Sequence, residues 1–148
     1  MKIIDLGTYK RYGRNKTNAI GKRKRKIKVK VDKWDSWNAQ HTLALIILPV
    51  LKQLKATQHG ATNTDDEDVP LELKSTSCAP VENTWDIDEN WFKRWDWILD
   101  QMIFSFDTLV NEDDEATLKL STEDMLEREK RINTGLSLFG KYYRGLWD

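Results

Sequence analysis

A chain of 148 residues is the size of one domain and can bury a core without covalent staples. Its single cysteine, Cys78, excludes an intramolecular disulfide and suits a reducing compartment. The longest apolar run, residues 43–51, falls well short of the roughly 20 residues a membrane span needs and contains Pro49, so it reads as buried core.

A net charge of zero conceals a sharp division. Residues 1–33 carry 13 Lys and Arg against Asp5 and Asp32, a net +11; residues 34–148 carry 11 against 22 Asp and Glu, a net −11. So basic a segment is expected to meet an anion: nucleic acid, a nucleotide, or the acidic body of this chain or a second copy. Met1-Lys2-Ile3-Ile4-Asp5-Leu6 runs into charge instead of an apolar stretch, so no secretory signal and an intracellular location are expected.

In chain order, Ile3-Ile4-Asp5-Leu6 suggests a short strand and Ile27-Lys28-Val29-Lys30-Val31 alternates strictly, as a half-buried strand does. Residues 7–26 between them have turn character. A first helix is predicted over about residues 37–59, capped by Asp35 or Ser36 and stopped at Gly60. Leu43, Ile47, Val50 and Leu54 form one face and Leu45, Ile46, Leu48 and Leu51 cover much of the rest, which predicts the central helix, bent near Leu45 by Pro49.

Residues 61–84 read as a polar connection containing Pro70, Pro80 and the run Asp65-Asp66-Glu67-Asp68, with at most a helical turn at 69–74. A second helix is predicted over about 87–110, with Trp91, Trp95, Ile98, Met102, Phe106 and Leu109 as its core stripe. The third, over about 122–146, starts at a Ser121/Asp124 capping box and presents Met125, Ile132, Leu136, Phe139, Tyr143 and Leu146. Gly135, Gly140 and Gly145 within it each cost roughly 1 kcal/mol against alanine, which either close helix approach or fraying would explain. The predicted fold class is therefore mainly α, of α+β type: residues 1–33 form a basic N-terminal arm with a short β strand or hairpin, and residues 34–148 form a three-helix core. A lone hairpin cannot cover itself, so a homo-oligomer is expected.

The leading candidate site lies on the arm. Tyr9, Lys10, Arg11, Tyr12 and Arg14 interleave aromatics with cations, and Arg23 and Arg25 sit in a run of five basic residues at 22–26. Guanidinium forks and ammonium groups suit phosphates, and tyrosines stack on bases. Trp34 and Trp37 would wall a pocket near the first helix, with His41 one turn on; a helix cap with a hydrophobic staple is the plainer reading of these residues. Asp65–68 with His59, and Asp96 and Asp100 with Glu123 or Glu127, are weighed as metal ligands, but a solvated charge run and ordinary surface acids are preferred. Cys78 has no basic neighbour and reads as a passive thiol. No Ser-His-Asp, Cys-His, P-loop or zinc pattern occurs, so no catalytic residue, metal or cofactor is predicted.

Several segments together resemble a family of small, uncharacterised proteins of tailed bacteriophages, marine ones especially. They are Asp32-Lys33-Trp34-Asp35-Ser36-Trp37, His41-Thr42-Leu43-Ala44, Leu48-Pro49, Lys52-Gln53-Leu54-Lys55, His59-Gly60, Asp65-Asp66-Glu67-Asp68-Val69-Pro70, Trp95-Asp96-Trp97 and Phe139-Gly140-Lys141-Tyr142-Tyr143. The chain departs at Gln40, where the resembling proteins carry an acid. The resemblance implies a phage protein acting in the cytoplasm of an infected host and supplies no activity. The expected function is a non-enzymatic accessory protein that binds a phosphate-bearing ligand, one version being capture of a nucleotide signal of host defence. The alternatives are nucleic-acid binding, a metal-dependent nucleotide phosphohydrolase built on Asp96 and Asp100, and a structural or host-protein-binding oligomer.

Overall fold

The computed structural model describes residues 31–83, 85–111 and 120–147. The chain divides into two units, Met1–Ala39 and Gln40–Asp148. The expected strands at 3–6 and 27–31 fall almost entirely outside the described residues, within which the structure is mainly helical. Three α-helices occur there: α1 (Ala39–Ala56), α2 (Trp91–Val110) and α3 (Thr122–Tyr142), the last running into a 3-10 turn at Tyr143–Gly145.

α2 is the central helix. Trp95, Ile98, Leu99, Met102 and Phe106 recur at three- and four-residue steps and are buried, together with the polar Arg94, Gln101 and Ser105. The central place expected for α1 is not observed. α1 buries only Ala44, Leu48 and Leu51 and leaves Leu43 and Val50 exposed. Density of apolar residues is not burial: one stripe of α1 is buried in the core, Ile47 and Leu54 pack partly against it, and Leu45 and Ile46 are only half-buried. α1 runs unbroken from Ala39 to Ala56 with Pro49 inside it, on the exposed side. It starts two residues later and ends three earlier than predicted.

Expected at Ile87, α2 begins at Trp91, because Asp88 accepts from the backbone N–H of Asn90 (2.8 Å) and holds that stretch in a turn. The α3 start is as predicted: Ser121 Oγ accepts from the Asp124 N–H at 3.1 Å. Its apolar face is borne out in part: Ile132 is buried, and Leu136, Phe139 and Leu146 pack against the core. Met125 and Tyr143 are exposed, and the buried stripe is rotated to Ile132, Gly135, Leu138 and Tyr142.

Gly135 sets that rotation. A Cβ there would lie 2.0 Å from Ser105 Oγ and 2.2 Å from the Gln101 carbonyl oxygen, so only a hydrogen lets α2 and α3 approach this closely. Ser105 Oγ sits 2.9 Å from the Ile132 carbonyl and 3.0 Å from its own helix's Gln101 carbonyl, sharing its proton between them. Trp95 and Tyr142 meet edge to face at 5.9 Å further along, so the two helices run antiparallel. At Gly140 no atom lies within 4 Å of where a Cβ would stand, so close packing explains the first of these glycines and not the second.

The connection before α2 is more structured than its polar composition predicts. It carries 3-10 turns at Asp66–Asp68, Leu71–Leu73 and Ser75–Ser77. Asp66 accepts from the N–H (2.8 Å) and Oγ–H (2.5 Å) of Ser75, and Val69 is buried in the core.

Candidate functional site

The sequence places its candidate ligand-binding residues in three groups. Tyr9, Lys10, Arg11, Tyr12, Arg14, Arg23 and Arg25 lie outside the described residues. Trp34 and Trp37 are brought together. His41, in the second unit, is half-buried, with Nδ1 3.3 Å from the Leu109 carbonyl at the end of α2.

The indole pair is built on consecutive turns. Asp32 accepts from the N–H of Trp34 (3.2 Å), and Asp35 in turn accepts from the N–H of Asp32 (2.9 Å). The Asp35 N–H donates to the Asp32 carbonyl at 3.0 Å, and the Trp37 N–H to the Trp34 carbonyl at 3.2 Å. Ser36 Oγ donates to the Lys33 carbonyl at 2.7 Å. Asp35 and Ser36 therefore close these turns; neither caps α1, which starts at Ala39. Their short polar side chains compete with helix for the local backbone, which delays the helix.

The turns hold the two rings 4.3 Å apart at 83°, edge to face, with Lys33 Nζ 4.5 Å over the Trp34 ring. Trp34 is 54% and Trp37 79% exposed. Two π faces beside an ammonium group, pre-set by backbone bonds and open to solvent, can stack on planar ligands and attract anionic ones.

Four of the acids weighed as metal ligands, Asp65, Asp66, Asp68 and Asp100, are engaged by other side chains. Lys141 Nζ bridges Asp65 (2.6 Å) and Asp68 (2.5 Å), and these carboxylates raise the lysine's pKa. Tyr142 OH donates to Asp68 and accepts from the Asp65 N–H at 2.9 Å; burial, then the Asp68 bond, pushes its pKa up to about 12. The run at 65–68 thus fastens the connection to α3 and is not simply a solvated charge run. Asp100 pairs with Lys55 at 2.5 Å and Asp107 with Lys52 at 2.7 Å, tying α2 to α1. Among the described residues no three His, Cys, Asp or Glu are grouped as a metal site would require.

Sequence reasoning missed the buried ion pair at the head of α2. Arg94, 2% exposed, donates from both terminal nitrogens to Asp88 (2.9 and 2.7 Å) and from Nη1 to the Leu73 carbonyl (3.2 Å). The Arg94 hydrogen bonds hold the Asp88 carboxyl at about 2, well below its ordinary value. Cys78 Sγ lies 3.4 Å from Asp88, and burial followed by that bond raises the thiol's pKa, which disfavours the nucleophilic thiolate. An arginine on the core side of α2, one residue before Trp95, was the available signal: such a charge needs a partner.

An open groove of about 730 Å³ lies between the 67–70 segment and α3, floored by Trp97 and Leu138. Among the described residues lining it, Lys130 is the one cation, set against Glu67 and Asp68, so the rim does not favour a polyphosphate. No helix of the described residues is long and apolar enough to cross a membrane. No family model, curated protein or solved structure matches this chain.

Proposed function

We propose that this protein binds a phosphate-bearing ligand without transforming it, the arm's cations neutralising phosphates while Trp34 and Trp37 stack on bases. The observation that carries the reading is the exposed, turn-locked indole pair directly following a segment of net +11. Base–aromatic stacking is worth roughly 1–3 kcal/mol per base, and phosphate neutralisation supplies the affinity that is independent of sequence.

Between a captured mononucleotide and an extended strand, the openness of the pair favours the strand. Sequestering a small nucleotide needs walls that bury most of its surface. Rings 54% and 79% exposed instead offer platforms to successive bases of a single strand. With the phage resemblance, the proposed setting is an accessory protein acting in an infected host.

Fluorescence anisotropy of a labelled single-stranded oligonucleotide across a salt series tests this. If about five phosphates are neutralised, log affinity falls against log salt with a slope of roughly −3.5. Binding that is absent at low salt, or indifferent to salt, overturns the proposal.

A further inference from the structure

A second exposed aromatic is presented in the opposite electrostatic setting. Trp85 is 92% exposed at the tip of a turn closed by Asn83 and Asp86. The Asp86 N–H donates to the Asn83 carbonyl (3.0 Å), and the N–H and side-chain amide of Asn83 both donate to Asp86 Oδ2 (3.0 Å each). Val81, Ile87 and Phe92 on the same stretch are also exposed. Its far end is fastened to the core through Asp88 and Arg94. So large an apolar side chain, held in water by a preformed turn, loses little freedom on being covered.

Charge says what would cover it. Between Lys74 and Lys93 the chain has no Lys or Arg and four carboxylates. Arg94 neutralises Asp88, which leaves Glu82, Asp86 and Glu89 exposed around Trp85. The complementary partner is strongly cationic, with guanidinium or ammonium groups to lie over the indole and between the acids. The chain carries such a segment itself, in the five consecutive cations of residues 22–26 within an arm of net +11.

We infer that residues 81–92 are a docking site for the basic arm of a second copy of this chain. Each copy offers one arm and one acidic-aromatic segment, so the contact is heterologous and builds head-to-tail assemblies, closed or open. The inference does not rest on the ligand reading, and its test uses no nucleic acid.

Sedimentation velocity on the full chain, free of nucleic acid, is the experiment. At low salt the protein is expected to sediment as an oligomer that dissociates near 1 M salt, where the screening length falls to about 3 Å. Trp85→Ala is expected to weaken association about ten-fold, and Glu82→Lys with Glu89→Lys to abolish it. Those three side chains are exposed, so circular dichroism of the variants should match wild type. Charge reversal at Lys22, Arg23, Lys24 and Arg25 should likewise give a monomer, and mixing it with the Glu82→Lys/Glu89→Lys variant should restore a complex. A wild-type monomer at every salt concentration overturns the inference. So does an oligomer indifferent to either Trp85→Ala or the Glu82/Glu89 reversal.

Discussion

Trp95 and the Trp34–Trp37 pair use the same ring in opposite ways. Trp95 is fully buried on α2, edge to face with Tyr142 at 5.9 Å and packed in the cluster with Ile98 and Met102. Trp34 and Trp37 also meet edge to face, at 4.3 Å, but on turns whose order comes from backbone and Asp32/Asp35 hydrogen bonds. In the first region burial holds the ring, and removing the ring removes the fold's reason to form. In the second the backbone holds the rings, which stand largely open to solvent. Two pairs of similar edge-to-face geometry thus differ in what orders them and in how far they are buried.

The sharpest way to break this contrast is to truncate each ring. Trp95→Ala is expected to cost about 3–5 kcal/mol of stability, read as a fall in the urea midpoint. Arg94→Met comes next, at about 3 kcal/mol, because it strands a largely buried Asp88 carboxylate. Gly135→Ala is expected to cost up to about 3 kcal/mol by forcing α2 from α3, whereas Gly140→Ala, in open space, should stabilise by up to about 1 kcal/mol.

Acid should attack the buried region through Asp88. Its folded pKa, about 2, lies below the unfolded value of 3.8, so its contribution is present in full above pH 4. As pH falls towards about 2 that contribution, about 2 kcal/mol, is lost, and acid titration of the urea midpoint would record the decline. An Arg94→Met variant should lose this dependence. Smallest of all, Trp34→Ala and Trp37→Ala should each move stability by no more than about 0.5 kcal/mol.

The helices were legible where periodicity and capping spoke together, as along the α2 stripe and at Ser121/Asp124. The burial ranking of α1 and α2 was not, because it depends on which elements cover each face and not on apolar content. Nor was the rotation of α3, which follows from one glycine meeting Ser105 and Gln101 some thirty residues away. The Asp65–Asp68 run looked like solvated charge because Lys141 and Tyr142 lie more than seventy residues away in sequence. Trp34 and Trp37 were visible as candidates from composition beside the arm; their exposure and the turns that set them were not.

The most direct test is the oligonucleotide affinity of the Trp34→Ala/Trp37→Ala double variant beside wild type at one low salt concentration, with urea midpoints measured on the same preparations. A loss of about ten-fold or more at unchanged stability is predicted, since each stacked base is worth roughly 1–3 kcal/mol. Wild-type affinity in the double variant would contradict a binding role for the exposed indoles.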